Sequence, residues 1–228
     1  MIEPSRFGVD EWDRSYAVED PGALWGDAVP FIANEGNRWL DSARSGLEIP
    51  CGDGRNTVAL ARHLETLEAI DSSELALEHA VERGRSAGVR NVRFRVGNIY
   101  GLPYDGDEFG SVVCWDLLAH LENPEDALRE VVRVCEPGGS IIANVYSRDD
   151  STFGENMVEL RPNEYIYDSR FYYHYYSREE VEGLVSRVGS VDIAELKTTR
   201  WTEGPHPGYR EYEHEHESWV FVLRKHLP

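Results

Sequence analysis

Two glycines one residue apart, Gly52 and Gly54, separate the stretch Gly46-Leu47-Glu48-Ile49 from a run, Thr57 to His63, that reads as the first turns of a helix. Glycine takes backbone angles closed to other residues and lets a ligand approach the main chain, so this strand, turn and helix suit the cradling of a small molecule. A second acid, Asp71, ends the next short strand pattern, at the place where doubly wound folds put the carboxylate that accepts both ribose hydroxyls. Capping of the following helix is the other reading of Asp71, and Ser72 can serve as that cap instead. What the loop lacks narrows the ligand. A nicotinamide dinucleotide site needs a third glycine, but Arg55-Asn56-Thr57 follow Gly54, and a phosphate loop needs a lysine, whereas the chain has only Lys197 and Lys225.

The elements that must position these residues alternate between strand and helix patterns. After Asp71 comes a helical run, Leu75 to Arg83, then an alternating strand, Asn91 to Val96, and the polar turn Gly97-Asn98-Ile99. A fourth strand is expected over Phe109 to Asp116. Asn123-Pro124-Glu125-Asp126 opens a helix reaching Cys135-Glu136, which Pro137-Gly138-Gly139 ends before a buried fifth strand, Ser140 to Tyr146. Ser147 to Arg170 is mixed in charge and reads as an insertion or flexible loop. Ser177, with Glu179 and Glu180 behind it, opens another helix, and strands are expected over Val191 to Leu196 and Trp219 to Arg224.

At 228 residues, with neither internal repeat nor low-complexity linker, the expectation is one α/β domain over 1–228. Its parts are an N-terminal lid (1–44), a cofactor-binding core (45–146) and acceptor-side segments (147–228). The formal net charge of −19, with no basic cluster, disfavours a nucleic-acid partner. Cys51, Cys114 and Cys135 have no paired spacing, so reduced, small apolar side chains are expected. No apolar run is long enough to span a bilayer and the first residues lack a signal pattern, so a soluble, cytoplasmic protein is expected, as monomer or homodimer.

Taken in order, Glu48-x-x-x-Gly52-x-Gly54, Asp71, Asn98, the Phe109-Gly110 strand and Pro137-Gly138-Gly139 resemble the class I S-adenosylmethionine-dependent methyltransferases. The N-terminal Trp12 to Tyr16 and Trp25 to Phe31 stretches are similar to those of small-molecule members, including tellurite-resistance, thiopurine-like and methyltransferase-11/25-like domains. The resemblance implies a Rossmann-like seven-stranded mixed sheet with helices on both faces and an N-terminal helical lid, with S-adenosyl-L-methionine as cofactor. It implies cofactor contacts from Glu48 at the methionine end, from the loop Cys51, Gly52, Asp53 and Gly54, and from Asp71 and Ser72 at the ribose. Asn98 and Ile99 would meet the adenine, with Trp115 after the fourth strand and Tyr16 from the lid; a simple turn is the other reading of Asn98. Pro50 stands where the family usually has its first glycine, and Gly110 where it usually has Asp.

Methyl transfer from a sulfonium is an in-line displacement that depends mainly on positioning, with a base needed only when the acceptor holds its proton firmly. His120, after the fourth strand, is the candidate base; the other reading is a cap or a cofactor contact. Trp25, Tyr172, His174, Tyr176 and His214 are candidate acceptor contacts, with the aromatic cluster alternatively a lid hinge. His214 and His216 share one face of a strand, a spacing that could hold a transition metal. No third ligand follows from spacing, so a pocket rim without metal is the expectation. The reaction expected is methylation of a small molecule at oxygen or nitrogen; a thiol or chalcogen acceptor, or a cofactor-binding module without catalysis, are the alternatives.

Overall fold

The computed structural model describes residues 9–17, 25–41, 44–206 and 210–228. The expectations placed on the first eight residues, including the absence of a signal pattern, lie outside the described residues. Among those described, no helix is long and apolar enough to cross a membrane.

Short apolar runs form the centre of the sheet. β1 (Ser45–Glu48), β2 (Thr66–Asp71), β3 (Val92–Val96) and β4 (Phe109–Cys114) are parallel neighbours, and β5 (Cys135–Tyr146) lies parallel to β4. β4 is buried along its whole length, as a strand covered on both faces must be. Three short strands, β6 (Met157–Arg161), β7 (Glu164–Tyr167) and β8 (Phe171–His174), form a separate antiparallel sheet. Two long strands, β9 (Val191–Glu203) and β10 (His214–Lys225), complete the main sheet, with β10 antiparallel to both β5 and β9. The order is β3-β2-β1-β4-β5-β10-β9, a seven-stranded mixed Rossmann-like sheet. It reverses direction of growth between β1 and β4, the place where such sheets open a crevice at their strand ends.

Helices α3 (Thr57–Ala61), α4 (Glu74–Ser86), α5 (Pro124–Val134) and α6 (Arg178–Val188) belong to the core and acceptor-side segments. α5 starts on Pro124 with Glu125 and Asp126 in its first turn and turns Ala127, Leu128, Val131 and Val134 inward. Ser177 and Glu180 form a reciprocal capping box at the start of α6. Nearer the N-terminus, α1 (Val9–Tyr16) packs against α4 and α2 (Pro30–Asn34) against α3, with Phe31 and Ile32 of α2 buried.

Three expectations need correction. The helix before β5 stops at Val134, and Cys135 already pairs with Phe109, so Pro137-Gly138-Gly139 lies within the strand at a register shift instead of ending the helix. The supposed flexible loop over 147–170 contains β6 and β7, joined by a tight turn at Pro162-Asn163 in which Asn163 has φ +66°. β6 is mostly exposed, which is why it carries no apolar alternation to read. Finally, β9 and β10 run to 13 and 12 residues, about twice the span expected.

Candidate active site

One cleft opens at the carboxyl ends of β1, β2 and β4 and reaches to the far ends of β9 and β10. Its near wall is the glycine loop. The Gly52 N–H donates to Asp71 Oδ2 at 2.8 Å, and the Ser73 N–H donates to Asp71 Oδ1 at 2.9 Å. A carboxylate has about four acceptor sites, so Asp71 keeps capacity for a ligand beyond its backbone N–H partners. Burial pushes the Asp71 carboxyl up to about 6, against the pull of its backbone N–H partners. Gly52 has φ +52°, and a Cβ placed there would stand 2.9 Å from the Tyr16 hydroxyl. Side chains are therefore excluded from the loop's ligand face.

The N-terminal helix is tied over this wall. Ser73 Oγ donates to Asp13, and the His79 ring Nε2 lies 2.9 Å from the Tyr16 carbonyl oxygen, so Trp12 and Tyr16 overhang the cleft. Trp115, on the loop after β4, stacks on Phe31 at 5.5 Å and forms part of the floor.

Arg55 crosses the middle. It donates to Glu203 at 2.6 Å, to Asp116 at 2.8 Å and to the Trp25 carbonyl at 3.1 Å, joining the glycine loop to β9. Burial opposes its charge, but Glu203 and Asp116 outweigh that and raise its pKa. Burial likewise works against the Glu203 carboxylate, and Arg55 together with His206 holds it far below the usual range.

Beyond Arg55 lie the basic side chains. His120 is 7% exposed, with Nδ1 2.9 Å from the Tyr172 carbonyl oxygen. A carbonyl only accepts, so Nδ1 carries the proton and Nε2 presents a lone pair. Burial is the main cause of a His120 pKa lowered to about 4, which keeps the ring neutral. Its ring is held edge-on by Trp12, Tyr173 and Tyr146. On the hairpin, His214 sits directly across from Glu203 and His216 across from Trp201. Their Nε2 atoms are 3.1 Å apart, and burial lowers the pKa of His214 to about 4.

Of the residues expected from sequence, the structure brings Tyr16, Trp25, Cys51, Gly52, Asp53, Asp71, Ser72, Trp115, His120 and His214 to the cleft. Asp53 is nevertheless 1% exposed and spends one oxygen on Arg83 at 2.6 Å, a structural pairing. The others are placed elsewhere. Glu48 lies behind the loop, accepting from the Thr57 hydroxyl at 2.5 Å, and burial pushes its carboxyl up to about 8. Gly54, at φ +84°, faces α4, where a Cβ would stand 3.0 Å from the Ala80 Cα. Asn98 is exposed and uses its Oδ1 to accept the Tyr100 N–H at 2.9 Å, the turn reading, while Ile99 is buried in the core.

Tyr172, His174 and Tyr176 line a separate groove with Glu164 and Leu184. Strand alternation explains this, because Tyr173 is the residue of β8 that reaches the cleft. The sequence reading missed Arg55, Asp116, Tyr146, Glu203 and Arg210 as cleft residues. Arg55 follows Gly54 directly and was within reach of motif reasoning; Glu203 and Arg210 depend on a hairpin register that no local pattern announces.

Residues 47–139 match the family model described as a methyltransferase domain. An uncharacterized methyltransferase, YcgJ of Bacillus subtilis, is 28% identical over 115 residues, which are 50% of this chain and 46% of that protein. This chain thus spans less than half the length of that relative. A solved structure from work on conversion of a disulfide bond into a thioacetal group during echinomycin biosynthesis superposes with a TM-score of 0.72. It is 17% identical and covers 96% of this chain and 92% of its own. The Burkholderia thailandensis 1,6-didemethyltoxoflavin-N1-methyltransferase, solved with its substrate and S-adenosylhomocysteine, gives 0.62 at 16% identity, over 86% of this chain and 79% of that one. At these identities the two structures speak for the fold alone, and the match over residues 47–139 supports the class I S-adenosylmethionine-dependent methyltransferases as the family of this core.

Proposed function

We propose that this chain methylates a small molecule at oxygen or nitrogen, using S-adenosyl-L-methionine, and that His120 is its proton acceptor. The observation that carries this reading is the continuity of the cleft, which joins the Gly52–Asp71 wall to His120 and the hairpin histidines. A donor and an acceptor can therefore lie end to end within one enclosure, the arrangement an in-line displacement requires.

The cofactor suits the residues present. Asp71 keeps acceptor capacity toward the ribose hydroxyls, the side-chain-free face of Gly52 admits the ligand's close approach, and Tyr16 and Trp25 border the same space. When bound, S-adenosylmethionine supplies a methyl group on a sulfonium, and its sulfur keeps the electron pair of the bond that breaks. The chain's part is to hold, orient and dry. Trp12, Trp25 and Tyr173 border the reacting space, and Arg55 braces the loop against β9. A hydroxyl or amine acceptor sheds its proton to His120 Nε2, which is neutral and has its other nitrogen fixed by Tyr172. The net charge of −19 favours a small acceptor over a nucleic acid.

Release of S-adenosylhomocysteine with a panel of small phenols, amines and thiols tests the reading. Turnover with a hydroxyl or amine acceptor, reduced in His120→Ala, is expected. Cofactor binding without turnover across the panel would overturn it in favour of a module that only binds.

A further inference from the structure

We propose that the hairpin end of the cleft is a metal site, in which Glu203 Oε2, His206 Nε2 and His214 Nε2 bind a divalent ion of the zinc class. One ligand atom from each of the three residues lies within 4.8 Å of the other two, and all three residues are buried. His206 Nε2 and Glu203 Oε2 are 2.9 Å apart. Zinc–nitrogen and zinc–oxygen bonds of about 2.0–2.2 Å set neighbouring ligands roughly 3–3.5 Å apart, so small side-chain movements would close the set.

The hydrogen bonds behind the ligands point the same way. His214 Nδ1 is 3.0 Å from the Tyr212 carbonyl oxygen, and His216 Nδ1 is 2.9 Å from Asp150 Oδ2. A carbonyl and a carboxylate both accept, so each ring places its proton on Nδ1 and turns Nε2 inward. The two Nε2 atoms then face each other at 3.1 Å. Two lone pairs at that distance call for a positive centre beside them. A bound ion satisfies both, with His216 at hand as a further ligand; a shared proton is the competing answer. Asp150, with 4% exposure, backs His216 in the carboxylate–histidine arrangement that orients metal ligands.

Glu203 is also held as a ligand would be. Its Oε1 accepts from Arg55 at 2.6 Å and from Trp201 Nε1 at 2.9 Å, which leaves Oε2 turned toward His206 and, at 3.8 Å, His216. The register supplies the geometry, since Glu203 and His214 are directly paired across β9 and β10 and His206 bridges to Arg210 just beyond. Two imidazoles and one carboxylate suit zinc, cobalt or nickel, whereas magnesium and calcium prefer all-oxygen sets. Glu203, His206 and His214 alone leave a coordination position for an acceptor's hydroxyl, thiol or carboxylate group, the position that His216 fills when no acceptor is bound. That role for the ion rests on the methyl-transfer reading; binding of the ion does not.

The test uses Co2+ as a visible probe on the purified, chelator-treated full chain, with S-adenosylhomocysteine titrated into the same samples. The expected result is a saturable visible band of low-coordinate cobalt at a single equivalent, displaced by Zn2+. His206→Ala and His214→Ala should each abolish the band and weaken Zn2+ binding by about 100-fold or more, while His226→Ala leaves both unchanged. S-adenosylhomocysteine binding retained by the two variants would establish that they remain folded, separating loss of the ion from any failure of the cofactor reading. Absence of a saturable band in the wild type would overturn the proposal, as would a band that survives both substitutions. The paired imidazoles would then share only a proton.

Discussion

The two ends of the cleft are built in opposite ways. At the glycine loop, main-chain N–H groups and one acid make the surface, and the residues concerned, from Cys51 to Asp71, lie within 21 positions of one another. At the hairpin, side chains do the work, and they come from places as distant as Arg55, His120 and His216. The difference teaches where each kind of information resides. A backbone cradle is specified by the conformational freedom of a few neighbouring residues, so it can be shared by proteins with different acceptors. A side-chain chamber is specified by pairing register over long separations, so it can change while the cradle stays.

The largest test of this contrast separates binding from turnover. His120→Ala should lower kcat by about 10²–10⁴ while leaving S-adenosylhomocysteine affinity unchanged, because the ring lies at the acceptor end. Steady-state kinetics and titration on the same variant would read both. A parallel loss of affinity would move His120 to the cofactor side.

Gly54→Ala probes the cradle's support. At φ +84°, with the Ala80 backbone 3.0 Å from the added Cβ, the substitution should cost roughly 2–4 kcal/mol in chemical denaturation. The change acts through packing on α4, so the variant that still folds should retain its acceptor preference.

The next effect is a pH dependence confined to the cradle. Asp71 is pushed up to about 6 in the free protein, and a ribose diol binds best to its ionised form. Affinity for S-adenosylhomocysteine should therefore be full above pH 6 and fall by about tenfold per unit as pH drops below it. The sign follows from the ligand lowering the Asp71 pKa. A titration series between pH 5 and 8 would check it, and Asp71→Asn should flatten the profile. The smallest effect belongs to the groove outside the cleft, where Tyr172→Phe should leave kcat and KM within about twofold, since its ring faces Glu164 and Leu184.

How much could be read in advance follows the same division. The central strands, the glycine loop and the place of Asp71 at the end of β2 were legible because apolar runs, glycines and a terminal acid are local signals, while the seven-stranded mixed sheet followed from the family resemblance. Glu48, Gly54 and Asn98, picked out by the motif, face the Thr57 hydroxyl, α4 and a turn, respectively, because motif positions do not say which side of a loop a residue presents. The choice of Tyr172, His174 and Tyr176 over Tyr173 was one residue out on a strand whose faces alternate, an ambiguity that a run of aromatics cannot resolve. The partnership of Glu203 with His214 was out of reach until the hairpin register was known.

Calorimetric titration of S-adenosylhomocysteine into the wild type and Asp71→Ala addresses the central claim most directly. The account predicts saturable binding to the wild type and a loss of about 100-fold or more in the folded variant, since hydrogen bonds to a buried carboxylate are each worth roughly 1.5–3 kcal/mol. Equal binding to both proteins, or none to the wild type, would contradict the assignment of the Gly52–Asp71 wall as the cofactor site.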